Sequence, residues 1–153
     1  MLDIQLTMRY LLFTLFIGFG LNTSAQSDQL VKWDFSTRKN NKSTELVLKA
    51  TMENGWHIYS QNLNGDGPIP TSFEYTLPKG AKKIGDTKEP EPIKHFDENF
   101  GMDVLYFNNQ VEFVQPISGK IKKDEVVKGK VNYMICNDQM CYPPTDVNFE
   151  IKL

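Results

Sequence analysis

The stretch Val147-Asn-Phe-Glu-Ile-Lys-Leu153 alternates apolar and polar side chains without interruption. Successive side chains of a β-strand point to opposite faces, so this pattern predicts a strand with one buried face and one face toward solvent. The same period of two runs through Val31–Phe35 and Leu46–Glu53. Half-buried strands are therefore predicted at all three places.

Shorter stretches of the same character occupy the middle of the chain, at Trp56–Gln61, Ser72–Leu77, Val104–Phe107, Val111–Ile117 and Val126–Ile135. Clusters of Asn, Gly and Pro lie between them, and such clusters mark turns. No stretch keeps a helical period over about three turns. About seven to nine short strands separated by turns predict an all-β domain, an immunoglobulin-like antiparallel β-sandwich. A closed barrel has the same periodicity and stays open as an alternative.

The longest predicted irregular segment runs from Gly85 to Asp103. Its first half, Lys88-Glu-Pro-Glu-Pro92, is spaced by prolines and predicts an extended connector. Its second half, Lys94–Gly101, is rich in aromatic and acidic residues. Long loops in compact domains usually carry function, so this half is expected to fold back over a site.

Composition bounds the class of protein. The chain has 153 residues and a formal net charge of −2, which suits one domain and provides no basic field for a nucleic acid. It contains 2 cysteines, too few for a disulfide-dense miniprotein or a four-cysteine zinc site. No pattern for a nucleotide site or a hydrolytic triad is visible, so no cofactor is expected.

The N-terminus predicts a secretory signal peptide over residues 1–25. Arg9 precedes the uncharged apolar run Tyr10–Leu21, and Thr23 and Ala25 occupy the −3 and −1 positions of a cut site. The alternative, a transmembrane anchor, needs about 20 apolar residues, more than this run provides. The mature domain, residues 26–153, is expected to be exported, not inserted in a membrane, in a compartment where disulfides persist.

Cys136 and Cys141 are the chemically distinctive pair. A predicted strand runs into Cys136 and the last strand begins after Pro144, so the two cysteines face each other across a short hairpin. Their Cα atoms are expected within the roughly 4.4–6.8 Å that a disulfide needs. A bond near an exposed hairpin tip adds only about 2 kcal/mol of stability and is open to attack by another thiolate. From spacing alone, a structural bond, a redox pair and a metal site all remain possible.

The neighbouring residues suggest further functional classes. Tyr142 and Met140 bracket Cys141 with apolar surface that a partner protein can cover. Met134 and Met140 add soft sulfur atoms to the two cysteines, a set that suits Cu(I) and a copper-handling module. A third class is a binding sandwich, such as an adhesion module, with a purely structural disulfide. The histidines, His57 and His95, are expected to be packed or surface residues rather than ligands.

The motif Cys136-x4-Cys-Tyr-Pro-Pro144 resembles the N-terminal periplasmic domain of DsbD-type thiol:disulfide interchange proteins. Gly55-Trp-His-Ile-Tyr-Ser-Gln61 is similar to an early Gly-aromatic-x-x-Tyr strand of that family, and Asp97-Glu-Asn-Phe-Gly101 to its acidic-aromatic-Gly loop. The resemblance covers Gln26–Leu153. It implies an immunoglobulin-like fold, a periplasmic location and a protein-disulfide reductase of the interchange type.

The resemblance also implies roles for individual residues. Cys141 is the thiol that forms a mixed disulfide with partners, and Cys136 resolves it. Asp97 and Glu98 correspond to an acidic pair near the cysteines, and Tyr59 to an aromatic residue of the site wall. The shielding aromatic falls at Asn99 in an ungapped match, and Phe100, flanked by Gly101, is expected to cover the sulfurs instead. As anions, Asp97 and Glu98 favour the neutral thiol, which predicts a reduced form that is slow toward stray oxidants.

The partners implied are thioredoxin-like proteins. Because the sequence ends at Leu153 without a transporter or a thioredoxin-like domain, a separate membrane electron donor is expected. Besides the chain end and the shielding position, the sequence departs from the family pattern at two further points. Four residues separate Cys136 and Cys141 where five are usual, and His57 stands where an aromatic residue is often found.

Overall fold

The computed structural model describes residues 29–39, 43–63, 65, 67–98 and 100–153, and the predicted signal peptide lies outside them. The strands in chain order are β1 (Val31–Lys39), β2 (Thr44–Met52), β3 (His57–Tyr59), β4 (Ser72–Thr76), β5 (Ala81–Lys83), β6 (Ile93–Asp97), β7 (Met102–Asn108), β8 (Gln110–Gly119), β9 (Val126–Tyr133), β10 (Ile135–Cys136) and β11 (Thr145–Lys152). Among the described residues, no helix is long and apolar enough to cross a membrane.

The strands form three antiparallel sheets, in the orders β1-β2-β8-β5, β11-β9-β4 and β10-β3-β7-β6. Each sheet ends in edge strands and does not close into a ring within the described part of the chain. The predicted all-β, immunoglobulin-like β-sandwich is therefore confirmed, and the barrel alternative is wrong.

An aromatic layer fills the space between the β1-β2-β8-β5 and β11-β9-β4 sheets. Phe35 of β1 stacks on Phe149 of β11 with ring centroids 4.8 Å apart. Phe73 of β4 packs on Phe113 of β8 at 4.9 Å. These residues occupy the apolar phase of the alternating patterns, so the faces assigned from sequence are the faces that pack. Burial of large aromatic side chains accounts for much of the stability of such a core.

The number of strands and the segment Gly85–Asp103 depart from the predictions. The described residues form eleven strands instead of seven to nine, because β5, β6 and β10 are short additions at sheet edges. The segment expected to be irregular contains β6, whose residues 93–96 are all exposed. A strand exposed on both faces has no apolar alternation, and β6 is held instead by its pairing with β7.

The connector that leads into β6 is fixed to the end of β3 by one carboxylate. Glu89 accepts hydrogen bonds from the Ser60 hydroxyl, from the Gln61 backbone at 2.9 Å and from the Asn62 amide at 2.8 Å. On the same connector, the backbone of Lys88 forms a two-way bridge with Val114 of β8, both bonds 2.8 Å long. These bonds fix the start of β6, and hence of the loop that follows it, relative to β3.

Candidate functional site

The two cysteines lie opposite each other in a narrow hairpin. Cys136 ends β10 and forms an antiparallel bridge with Cys141. The Asn137 N–H donates to the Met140 carbonyl at 2.9 Å, and the side-chain oxygen of Asn137 accepts from the backbone N–H of Met140 at 2.8 Å. Asn137 thereby stabilises the turn and sets the two cysteines face to face.

Cys136 and Cys141 are joined by a disulfide, as the spacing predicted. Their Cα atoms are 4.1 Å apart, slightly closer than expected. The flanking hydrogen bonds run from Asn137 to Met140 and from Tyr142 to Ile135. The cysteines therefore form a non-hydrogen-bonded pair, the closer of the two antiparallel spacings.

The Cys136–Cys141 disulfide is less exposed than its place near a hairpin tip predicted. Cys136 is 0% exposed and packs against Tyr59 and Val104, whereas Cys141 is only partly buried. The prediction of an exposed bond is thus wrong for one cysteine, because β10 turns Cys136 toward the sheet interior. Of the two cysteines, Cys141 is therefore the more accessible one.

The loop between β6 and β7 lies beside the disulfide. Asp97 is 6% exposed and accepts a hydrogen bond from the Tyr59 hydroxyl at 2.8 Å. The Gly101 N–H donates to the Asp97 carbonyl at 2.8 Å, and Gly101 has a φ of 64°, a conformation that favours glycine. Phe100 is partly buried in the cluster that contains both cysteines. Position 99 lies outside the described residues, and we call residues 97–101 the cap loop.

Glu98 and Tyr142 lie differently from the other expected site residues. Glu98 is exposed and lines a cleft beside the cap loop. Tyr142 follows Cys141 but packs on Trp56, with ring centroids 5.6 Å apart, and contributes to the main core. Met140 remains 45% exposed next to Cys141. The structure therefore gathers Tyr59, Asp97 and Phe100 around the disulfide.

A cleft of about 440 Å³ separates β6 and the cap loop from the cysteine hairpin. Its lining consists mainly of titratable and polar side chains, among them His57, His95, Asp97, Glu98, Asn137 and Asp138. In the part of the chain that the structure describes, no group of three or more His, Cys, Asp or Glu side chains is arranged to hold a metal ion. The disulfide also engages both cysteine sulfurs that the copper hypothesis requires.

His57 of this cleft and its neighbour Tyr59 both have shifted pKa values. Burial, together with the hydrogen bond to Asp97, raises the pKa of the Tyr59 hydroxyl, which therefore stays protonated and donates. Burial lowers the pKa of His57, while the carboxylates of Asp97 and Asp138 oppose that shift. The His57 ring is thus mainly neutral at neutral pH.

Sequence reasoning did not select His57 as a site residue. In the structure His57 lies directly across from Cys136 in the β3–β10 pair. Its Nε2 atom is 3.3 Å from the Tyr59 hydroxyl. The one signal in the sequence was that a histidine replaces an aromatic residue in the Gly55–Gln61 motif.

An immunoglobulin-like sandwich with one buried and one partly buried cysteine, joined across a hairpin beside a packed loop, is the arrangement expected of a thiol:disulfide interchange domain. A family model described as the thiol:disulfide interchange protein DsbD, N-terminal, matches residues 24–153. The chain therefore belongs to the family of DsbD N-terminal domains.

Solved structures of similar fold agree with this assignment. The reduced DsbD N-terminal domain of Neisseria meningitidis has a TM-score of 0.57 at 15% identity, covering 82% of this chain and 86% of that one. The same organism's complex of the DsbD and PilB N-terminal domains gives 0.55 at 14% identity, with 78% and 80% coverage. The N-terminal periplasmic domain of ScsB from Proteus mirabilis gives 0.54 at 15% identity, covering 78% of this chain and 44% of that one. No curated protein matches the chain.

Proposed function

We infer that this protein exchanges disulfides with thioredoxin-like proteins through Cys136 and Cys141, and so relays reducing equivalents between them. The observation that carries this inference is the asymmetric burial of the pair, with Cys136 0% exposed and Cys141 only partly buried. Such an arrangement presents one sulfur to an incoming protein and protects the other. Membership of the DsbD N-terminal family supports the same chemistry.

The exchange proceeds in two steps in each direction. A thiolate of the electron donor attacks the Cys141 sulfur, the bond to Cys136 breaks, and Cys136 leaves with the electron pair and takes up a proton. The donor's second thiol then attacks the mixed disulfide, and the domain is released with both cysteines reduced. Toward an acceptor the order is reversed, so two electrons and two protons pass through the pair.

The disulfide contributes too little to the stability of the fold for a mainly structural role. The disulfide closes a loop with a sequence separation of 5, for which chain entropy gives only about 2 kcal/mol. The strands that it joins are already connected by the Asn137–Met140 and Tyr142–Ile135 hydrogen bonds. The bond therefore adds little order that the hairpin lacks.

The cap loop is proposed to limit access to the disulfide. Phe100 packs against the cluster of Tyr59, Val104 and Cys136, as Cys141 does. It approaches Tyr59 edge-on, with ring centroids 6.1 Å apart. The hydrogen bond from Tyr59 to Asp97 holds the start of the loop in place. Together these contacts cover the sulfurs until a partner displaces Phe100.

Two of the similar structures support a proposal on location and partners. The ScsB domain is described as periplasmic, and one DsbD N-terminal domain is described in a complex with a PilB N-terminal domain. We propose that residues 1–25 direct export, that residues 26–153 form the periplasmic domain, and that a separate membrane protein supplies the electrons. The proposed direction of transfer is reductive.

The proposed function predicts rapid, reversible reduction of the native disulfide. A reduced thioredoxin-like protein is expected to reduce the Cys136–Cys141 bond without unfolding the domain, and its oxidised form to restore the bond. The potential is expected to lie above about −300 mV, because structural disulfides usually lie below that value. Equilibration with dithiothreitol buffers, followed by mass spectrometry of alkylated thiols, measures the reduction potential and shows whether reduction is reversible. A bond that is reduced only in denaturant would show a structural disulfide.

The cap loop predicts an effect of shortening Phe100. Phe100→Ala is expected to accelerate reduction of the folded protein by dithiothreitol on the order of tenfold, because access controls exchange at a shielded disulfide. Phe96→Ala is the matched control, since Phe96 is 54% exposed on β6 and outside the cysteine cluster. Stopped-flow measurements give both rates. Equal rates in all three proteins would contradict the proposed shielding.

A further inference from the structure

His57, Cys136 and Cys141 form one row across neighbouring strands. Cys136 is the direct cross-strand partner of His57 on one side and of Cys141 on the other. Directly opposed residues of an antiparallel pair point to the same face, with Cβ atoms about 4.5–5.5 Å apart. The side chain of His57 therefore lies beside that of Cys136.

In the reduced protein, the buried Cys136 thiol must lose its proton before it can react. Its position is 0% exposed, among Tyr59 and Val104, where burial favours the neutral thiol over the thiolate. Attack on a mixed disulfide nevertheless requires the thiolate. Because water does not reach this sulfur, a side chain of the protein has to accept the proton.

The hydrogen bonds around His57 leave one ring nitrogen available as a base. The Tyr59 hydroxyl donates its proton to Asp97 at 2.8 Å. Its oxygen, 3.3 Å from Nε2 of His57, therefore accepts a hydrogen bond from that nitrogen. In the neutral ring the proton is thus on Nε2, and Nδ1 carries a lone pair.

The charges around the ring suit a base of this kind. Asp97 and His95 face it from β6, Asp138 from the cysteine hairpin, and Tyr106 from β7 with ring centroids 4.6 Å apart. Burial lowers the pKa of His57, which keeps the ring neutral before the reaction. The two carboxylates stabilise the imidazolium once it forms.

We propose that His57 accepts the proton of Cys136 in the resolving step, an inference that rests on the proposed function. The Cys136 thiol gives its proton to Nδ1, and the thiolate attacks the Cys141 sulfur of the mixed disulfide. The bond between Cys141 and the partner breaks, the partner leaves with the electron pair, and the Cys136–Cys141 bond forms. When the domain is reduced, the imidazolium returns the proton to Cys136.

The reagent 5,5′-dithiobis(2-nitrobenzoate) separates the two steps in the full-length protein. Attack by Cys141 releases one thionitrobenzoate, and resolution by Cys136 releases a second, so absorbance reports two kinetic phases. His57→Gln is expected to slow the second phase about a hundredfold, the lower end of the usual range for a general base, and to leave the first unchanged. His95→Gln removes an imidazole from the same cleft that does not lie opposite Cys136, and it is expected to change the second phase far less than His57→Gln does.

The pH dependence adds a readout that loss of packing would not change. In the wild-type protein the second-phase rate is expected to level off above the pKa of His57, whereas in His57→Gln it should keep rising about tenfold per pH unit toward the thiol pKa. A second phase with equal rate and equal profile in both proteins would overturn the role of His57. If His57→Gln does not fold, a wild-type rate without a plateau overturns it equally. Failure of wild-type exchange with a thioredoxin-like protein would instead contradict the proposed function, whatever the second phase shows.

Discussion

The Cys136→Ser variant is expected to accumulate disulfide-linked complexes with thioredoxin-like proteins, and the Cys141→Ser variant to form almost none. Cys141 is only partly buried and attacks a partner's disulfide, but without Cys136 the mixed disulfide is not resolved. In the reverse variant the remaining thiol is 0% exposed in the wild-type fold and out of reach of a partner. Non-reducing electrophoresis with a purified oxidised thioredoxin-like protein, followed by mass spectrometry, measures the difference.

The two serine variants serve as controls for each other. Both variants lose the same disulfide, worth about 2 kcal/mol. Cys136→Ser also places a hydroxyl at a position that is 0% exposed, so urea unfolding of each variant is measured to establish that both are folded in the trapping assay. A difference in complex formation then reports which sulfur reacts with partners. Equal trapping by both variants, or stronger trapping through Cys136, would reverse the assigned roles.

Gly129→Ala is expected to destabilise the fold by more than about 3 kcal/mol, a large part of the roughly 5–15 kcal/mol that holds a domain together. Gly129 lies in β9 between β11 and β4. A Cβ atom there would overlap the Phe149 ring and the backbone carbonyl oxygen of Glu74. Because β9 is paired on both sides, its backbone cannot move away from the added methyl group, and the overlap strains the folded state of the variant. Urea unfolding followed by tryptophan fluorescence measures the change.

Gly55→Ala is the matched control for this prediction. A Cβ atom at Gly55 meets nothing within 4 Å, although its φ of 83° imposes a conformational cost of about 1 kcal/mol. The two variants add the same methyl group and differ in crowding. If Gly129→Ala were no less stable than Gly55→Ala, the close packing of Phe149 against β9 would be contradicted.

The sequence predicted those strands whose burial is one-sided. Apolar and polar residues alternate in β1 and β11 because one face of each strand packs on the aromatic layer and the other faces solvent. The sequence of β6 shows no such alternation, because residues 93–96 are exposed and the strand is held by backbone pairing with β7. Exposed edge strands are therefore the part of this fold that periodicity does not reveal.

The same distinction applies to the site. A short separation between Cys136 and Cys141 predicts that they can bond, because a hairpin fixes their proximity locally. It does not predict which sulfur is buried, since that depends on the pairing of β10 with β3, far away in the sequence. The placement of His57 beside Cys136 and the bonds of Glu89 to the end of β3 are equally non-local. Such contacts are determined by the register of the folded sheets.

The turn that presents the cysteines is held by bonds that do not involve sulfur. The side chain of Asn137 accepts from the backbone of Gln139 and Met140, and the backbone of Tyr142 donates to Ile135. Opening the S–S bond leaves all of these contacts intact. The oxidised and reduced forms are therefore expected to share one shape, so that electron transfer requires little reorganisation and the domain can cycle repeatedly without refolding.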